Sequence, residues 1–237
     1  LGMTNLHTFS IGMNESEDLK YAEKVATYIG SIHHTIRLTE QDFLDAIDEV
    51  IYTIESYDTT TVRASVGTWL VSKFIKENSE AKVIFNGDGS DEVCGGYMYF
   101  HAAPDSLEFD KECRNLLKNI HKYDVLRSDK SISSNGLEPR TPYLDRNLVE
   151  YVSSMPVNYK FEMFNRKKIL NDTFKHNLPK TVFTKKKSGF NAPIGIWLIE
   201  NKKVRNMAYD LINTNKMLNI FKMKELKRIW NNHQKRT

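Results

Sequence analysis

The sequence has little cysteine and no long apolar run, and each shortage excludes a class of protein. Cys94 and Cys113, the two cysteines among 237 residues, lack metal-type spacing, and two isolated thiols are typical of a reducing compartment. No apolar run reaches the ~18 residues that a membrane span requires. The first residues carry neither a basic segment before an apolar stretch nor an Arg/Ser-rich amphipathic pattern, so they predict no signal or transit peptide. We therefore expect a cytoplasmic chain without a membrane partner.

Acidic residues are scarce in the last third of the chain, which leaves its charge uneven. Residues 151–237 carry 19 Lys and Arg against 5 Asp and Glu, although the net charge of the whole chain is only +4. Such asymmetry can indicate a nucleic-acid-binding tail. The basic residues lie among helical and aromatic patterns, which favours a contact between the two halves or the binding of a phosphorylated small molecule. We therefore expect no nucleic-acid partner.

Short apolar strands alternate with helical patterns in the first hundred residues. The predicted strands are His7–Ile11, His33–Leu38 and Lys82–Phe85. The predicted helices run from Ser16 to Gly30, from Thr39 through an apolar stripe to Ile54, and from Val62 to Lys76. This alternation predicts the α/β fold class, with a parallel sheet and flanking helices. Helical patterns dominate after Gly95, so we expect an α/β part at residues 1–100 and a mostly helical part at residues 101–237.

The loop at residues 86–92 carries most of the expected chemistry. It reads Asn-Gly-Asp-Gly-Ser-Asp-Glu after an apolar strand, so it should lie at the sheet edge where α/β proteins bind ligands. Its glycines permit close approach of the backbone, and N–H groups at the start of the next helix attract phosphate. Its three carboxylates would repel phosphate unless Mg²⁺ lay between them. A solvated turn is the alternative, because Asn-Gly and Asp-Gly are common turn pairs, whereas the spacing does not fit an EF-hand.

Five segments agree with one known family in order and spacing. They are His-Thr-Phe-Ser-Ile-Gly at 7–12, Glu-Ser-Tyr-Asp-Thr-Thr-Thr-Val-Arg-Ala-Ser at 55–65, the acidic loop continuing into Gly-Gly-Tyr and Tyr-Phe-His at 86–101, Tyr123 and Asp124 with Arg127 before Gly-Leu-Glu-Pro-Arg-Thr-Pro-Tyr-Leu-Asp at 136–145, and Lys-Ser-Gly-Phe at 187–190. From about residue 6 to about residue 198, the chain resembles the synthetase domain of class II, glutamine-dependent asparagine synthetases.

The resemblance implies a fold and an activity. The implied fold is that of the PP-loop ATP pyrophosphatases, which are adenine nucleotide alpha-hydrolase-like α/β proteins. In this family the side-chain carboxylate of aspartate attacks the α-phosphorus of ATP, which gives β-aspartyl-AMP and pyrophosphate, and ammonia then displaces AMP. The ammonia comes from glutamine, which a separate N-terminal glutaminase domain hydrolyses. The implied cofactors are ATP and Mg²⁺, the implied partners are aspartate, ammonia and a glutaminase domain, and homodimer formation stays open.

The resemblance also assigns roles to single residues. The implied binding residues are Ile11, Asn86 and Gly87 for adenosine, Ser90 for pyrophosphate, Asp91 for Mg²⁺, and Thr60, Thr61 and Arg63 for aspartate and the adenylate. The implied catalytic residues are Asp88, Arg63 and Lys187, of which Lys187 would neutralise charge on the phosphates. Asp88 stands where the family has Glu and reaches one methylene less far. On residue type alone, Arg63 would be a surface charge of a helix, and Lys187 would belong to a solvated run of three lysines.

Two departures from the family bear on activity. The family's Ser-Gly-Gly-x-Asp-Ser-Ser loop, which wraps pyrophosphate and supplies a metal ligand, is absent from the sequence, and so is a glutaminase domain. We therefore expect an incomplete chain, or one polypeptide of a split enzyme whose companion carries the missing loop. One alternative is a relative that amidates another carboxylate or closes a β-lactam. Another is a degenerate synthetase kept as a binding module, although the acidic loop and Lys187 argue against it.

Overall fold

The computed structural model describes residues 5–14, 16–162, 165–185, 192–214 and 219–235. The chain divides into two compact units, residues 1–190 and residues 191–237. The boundary expected near residue 100 concerned a change from alternating strands and helices to helices alone, and it stays a prediction.

Two small parallel sheets form the β part of the first unit. One pairs β1 (His7–Met13) with β2 (Ile32–Leu38), and the other pairs β3 (Val83–Phe85) with β4 (Glu138–Arg140). In each pair the first residues of the two strands lie opposite each other. The α/β class and the parallel pairing are therefore confirmed. Within the described ranges, however, the strands form two separate pairs instead of the one sheet that the alternation predicts, and β4 was not predicted.

Helices make up most of the chain. In the first unit they are α1 (Glu17–Ile29), α2 (Glu40–Asp45), α3 (Ile47–Ile54), α4 (Thr59–Asn78), α5 (Ser90–Cys94), α6 (Ser106–Asn119), α7 (Asp124–Ser133), α8 (Arg146–Ser154), α9 (Val157–Lys160), α10 (Lys168–Phe174) and α11 (Lys180–Thr184). Short 3-10 turns lie at Met98–Ala102, Ile120–Lys122 and Pro142–Leu144. Among the described residues of the second unit the helices are α12 (Ile194–Glu200), α13 (Lys202–Ile212) and α14 (Met223–Gln234). In the part of the chain that the structure describes, no helix is long and apolar enough to cross a membrane.

Local chemistry sets the ends of the early helices. The Ser16 hydroxyl accepts the Asp18 N–H at the start of α1, and Gly30 ends the helix with φ 69°. Thr39 and Asp42 form a capping box at the start of α2. Each such cap stabilises a helix by about 1 kcal/mol. The apolar stripe predicted as one helix is interrupted at Ala46, which ends α2 and begins α3.

Among the described residues, three apolar clusters contribute to the core of the first unit. The first, here called the central cluster, consists of Ile75, Ile132 and Leu137, and Phe9 of β1 and Ile84 of β3 pack against it. The helices α4 and α7 that supply Ile75 and Ile132 therefore support both strand pairs. Burying one such side chain contributes about 1.5–3 kcal/mol.

The two cysteines belong to the other two clusters. Cys94 lies with Val93 and Val152, whereas Cys113 lies with Phe100 and Phe109. Both thiols are free and buried. Burial raises the pKa of the Cys94 thiol to about 11 and that of Cys113 to about 12, because the thiolate would lose its hydration.

Candidate active site

The loop at residues 86–92 leaves the second strand pair where the sequence predicts it. The Asn86 N–H donates to the Arg140 carbonyl at 3.0 Å, and the Asp88 N–H donates to the Asn86 side-chain oxygen at 3.2 Å. Gly89 follows with φ 88°, and a β-carbon there would lie 2.5 Å from Leu144 Cγ. Only glycine therefore fits this turn. The next helix, α5, has five residues with two carboxylates in its first turn, so its dipole offers a phosphate little attraction.

Asp88 is held between the loop and α7. The Ser128 hydroxyl donates to one carboxylate oxygen of Asp88, and Arg127 Nη2 lies 3.5 Å from the other. Arg127 also pairs with Asp124 at 2.6 Å, so its charge is shared. Burial raises the pKa of the Asp88 carboxyl, and the contacts with Ser128 and Arg127 offset this rise only in part. Position and environment thus suit a carboxylate with a chemical role.

Ser90 and Asp91 share one cation. Lys167 Nζ lies 2.8 Å from Ser90 Oγ and 3.0 Å from Asp91 Oδ2. The sequence does not predict this contact, because Arg166, Lys167 and Lys168 are adjacent basic residues and nothing in their order indicates which one reaches the loop. The residues predicted for pyrophosphate and Mg²⁺ are therefore brought together with a third group, which the sequence analysis missed.

Glu92 is a buried carboxyl beside the loop. Its side chain accepts the Tyr97 hydroxyl, and the residue is 3% exposed. Burial raises the pKa of Glu92, and burial together with the neighbouring Glu92 raises the pKa of Tyr97. A cavity of about 310 Å³ opens next to them; its polar lining includes Asn115, Asn119 and Asp124. The sequence groups Glu92 with Asp88 and Asp91 around Mg²⁺ and gives Tyr97 no role of its own, so the pairing of Glu92 with Tyr97 was not predicted.

Asn86 offers an unused donor. Its side-chain nitrogen is buried and has no hydrogen-bond partner in the described part of the chain. A buried donor without a partner is costly, so it fits a ligand acceptor such as a ring nitrogen or a ribose oxygen. A β-carbon at Gly87 would meet nothing within 4 Å, so the backbone there is open to a ligand. Ile11, the third residue expected to line adenosine, lies in β1 opposite Ile36.

The residues expected to bind aspartate lie at the start of α4. Thr60 is exposed and Arg63 is half-buried. Thr61 is buried, and its hydroxyl donates to Asp58 Oδ1 at 2.7 Å, so it serves the start of the helix. Helix α4 packs on α7, which carries the two residues that hold Asp88. A contact of Thr60, Thr61 or Arg63 with substrate stays a prediction.

Two further expectations concern charge. Lys187 lies outside the described residues, and its role stays a prediction. Lys185, two residues earlier, pairs with Asp18 and lies over the Tyr21 ring with 5.2 Å between Nζ and the ring centroid. No group of three or more potential metal ligands occurs within the described ranges. The expected contact of Asp91 with Mg²⁺ stays a prediction, and Mg²⁺ accepts a single carboxylate together with phosphate oxygens.

The fold and the loop together define an α/β protein with an acidic, glycine-containing loop at the carboxyl end of a parallel strand. The family model described as asparagine synthase matches residues 2–111 and 104–237. The chain therefore belongs to the asparagine synthase family.

Individual relatives agree with this assignment. The glutamine-hydrolysing asparagine synthetases of Cricetulus griseus and Mus musculus are each 43% identical over 199 residues, which cover 83% of this chain and 35% of the relative. The Homo sapiens protein of the same name is 41% identical over 199 residues, which again cover 83% of this chain and 35% of the relative. The chain thus spans about 35% of the length of these curated relatives.

Proposed function

We propose that this chain forms the ATP-dependent, amide-forming part of a glutamine-hydrolysing asparagine synthetase. The observation that carries the proposal is the loop at residues 86–92, which combines the unused Asn86 donor with Ser90 and Asp91 at the end of a parallel strand. The name shared by relatives 41–43% identical to the chain supports the same activity. In this function ATP supplies the activating adenylate and pyrophosphate as leaving group.

Each residue of the loop has a role in this proposal. Asn86 and Gly87 hold the adenosine, because they provide a free donor and an open backbone. Ser90 donates to the pyrophosphate oxygens, and Asp91 with those oxygens holds Mg²⁺. Asp88 lies between them with a raised pKa, so it holds a proton to a higher pH than an exposed aspartate does.

We infer a fifth parallel strand between β1 and β3. Phe9 of β1 and Ile84 of β3 pack against the same central cluster, and each strand pairs with one neighbour among the described residues. Val83 and Phe85 are 42% and 75% exposed, which is unusual for a strand of an inner parallel sheet. A strand in this position would join the two pairs into one sheet. Its carboxyl end would bring a Ser-Gly-Gly-x-Asp-Ser-Ser loop beside residues 86–92, whether it is part of the same polypeptide or of a companion that also carries the glutaminase domain.

The test is ATP–pyrophosphate exchange with aspartate and Mg²⁺, run with and without a polypeptide that carries the glutaminase domain and this loop. We expect exchange only in the presence of that polypeptide, because loss of one oriented donor already costs about 3 kcal/mol in other enzymes. Glutamate in place of aspartate serves as the substrate control. Robust exchange by the chain alone would contradict the need for the loop, and exchange with glutamate but not aspartate would contradict the substrate.

Lys187 gives the same assay a second comparison. Neutralising charge that develops on phosphate is worth a few kcal/mol, so Lys187→Ala should lower exchange by roughly a hundredfold. Lys185→Ala is the matched control, because Lys185 is already paired with Asp18. If both variants lose the same activity, the role belongs to the basic run as a whole and not to Lys187.

A further inference from the structure

A lysine occupies the position where the loop would meet phosphate and metal. Lys167 Nζ lies within hydrogen-bond distance of both Ser90 Oγ and Asp91 Oδ2. The side chains of Lys167 and Asp91 are 26% and 21% exposed, so the pair is sheltered but can still be reached by a ligand. The cation therefore lies on the two residues to which the proposed function gives pyrophosphate and Mg²⁺.

Two backbone features hold this pair in place. Lys167 has φ 52° and ψ 39°, a left-handed conformation that is unfavourable for a residue with a side chain. Gly96 lies against the pair, and a β-carbon there would lie 2.7 Å from Asp91 Cγ. Backbone strain of this kind persists where the surrounding structure enforces it, and it is concentrated at functional sites.

The neighbouring lysine shows that the contact is specific. Lys168 Nζ lies 2.5 Å from Asp172 and 3.7 Å from Glu162, in pairs that involve exposed carboxylates. Lys167 and Lys168 thus have the same charge and adjacent positions but different partners. Lys168 is therefore a matched control for any experiment on Lys167.

We propose that Lys167 is an anion-binding residue of this site, which pairs with Asp91 and binds the pyrophosphate group of the nucleotide when the nucleotide is present. The proposal rests on the proposed function and adds a residue to it. An ammonium has three donors, and among the described residues Ser90 and Asp91 use two of them, so the third can donate to a phosphate oxygen.

The pairing has a consequence for the order of binding. The Asp91 carboxylate alone would repel pyrophosphate, but Lys167 cancels its charge, so the anion can reach Ser90 before a divalent cation binds. Lysine and metal then compete for the same carboxylate. Lys167 should therefore weaken Mg²⁺ binding at Asp91 until pyrophosphate draws the ammonium away.

The experiment titrates the full chain with inorganic pyrophosphate in excess EDTA and follows ³¹P NMR line broadening, which detects weak binding. Lys167→Met should weaken binding roughly tenfold or more, the loss expected for one charge-assisted hydrogen bond. Lys168→Met should bind like wild type. Asp91→Asn should bind metal-free pyrophosphate more tightly, because the carboxylate that competes for Lys167 is gone, and added Mg²⁺ should no longer improve binding.

Equal affinities of wild type and Lys167→Met overturn the proposal, and so does an equal loss in Lys168→Met or a wild type that binds no pyrophosphate. If Lys167→Met does not fold, Asp91→Asn provides the test. Should the folded Asp91→Asn variant bind pyrophosphate in EDTA no more tightly than wild type, the proposal is also overturned. Titration with AMP separates this inference from the proposed function. If the chain binds AMP, and Lys167→Met does not change its affinity for pyrophosphate, the proposed function is retained but Lys167 has no part in it. If Lys167→Met loses pyrophosphate binding, but the wild-type chain with its companion polypeptide shows no exchange, the anion site is retained and the proposed function is contradicted.

Discussion

Asp88 is an acidic residue whose burial disfavours its charged form. Its side chain is 19% exposed, and the arginine beside it is already engaged by Asp124. Since burial outweighs the contacts with Ser128 and Arg127, the pKa of Asp88 lies above its ordinary value. Because burial disfavours the charged form, ionisation of Asp88 lowers the stability of the folded protein, as is common for residues that carry out chemistry.

Asp88→Asn should raise the melting temperature at pH 7 and abolish exchange. A carboxyl with a raised folded-state pKa contributes its stability below the ordinary pKa of 3.8, and this contribution is lost as pH rises through the raised pKa. The gain of the variant over wild type should therefore shrink as pH falls from the raised pKa to 3.8, and it should change no further below 3.8. Thermal unfolding of both proteins at a series of pH values measures this difference in melting temperature. Asp129→Asn, at an exposed position of α7, controls for the loss of one charge. A lower melting temperature of Asp88→Asn at pH 7 would mean that its contacts outweigh its burial.

The residues of the site were predictable to the extent that they share one loop. Asn86, Asp88 and Asp91 could be placed together because they follow one strand within six residues. Ser128 and Lys167 could not, because they lie 40 and 77 positions from their partners in the sequence. No spacing rule reaches across such distances, and only the packing of α7 and the left-handed turn at Lys167 reveals these contacts.

Helices were easier to predict than strand pairs. Ser16, Gly30 and Thr39 mark helix ends through contacts with residues at most five positions away, so the sequence itself contains the signal. Strand β4 has three residues with Pro139 in the middle, and proline argues against a strand unless its position needs no N–H donor. Its pairing with β3 links segments about fifty residues apart, which local patterns do not indicate.

The turn into α5 predicts a contrast between two glycines. Gly89→Ala should destabilise the protein by about 2 kcal/mol or more, because φ 88° disfavours a side chain and Leu144 fills the space. Gly87→Ala should change stability by less than about 0.5 kcal/mol, since nothing lies near its β-carbon, but it should weaken ATP binding. Urea denaturation and nucleotide titration of both variants check this. Equal destabilisation would show that the two positions are equally crowded.

At the scale of the first unit, the two strand pairs rest on one support. The central cluster contacts β1 and β3 alike, so helices α4 and α7 hold both pairs in place without a described strand between them. Edges of this kind expose N–H and C=O groups that can pair with another strand. Pairing with a companion strand or with a second copy of the chain would each cover such an edge.

Hydrogen exchange can distinguish them. In the isolated chain, N–H groups of β1 and β3 that are not used in their present pairs should exchange fast, and the companion polypeptide should protect both strands together. Protection of β1 alone, or none, would contradict a strand inserted between them. Protection that instead rises with the concentration of the chain alone would indicate a homodimer formed edge to edge.

The two buried thiols can report how often the apolar cluster around each of them opens. Cys94 and Cys113 belong to different apolar clusters, and raised pKa values leave almost no thiolate at neutral pH while they are buried. A thiol reagent can therefore modify each cysteine only during moments when its own cluster opens. Equal labelling rates would mean that the two clusters open together as one cooperative unit. Unequal rates would mean that one part of the unit opens while the other stays closed, and the ratio of the rates would measure the free energy that separates these openings.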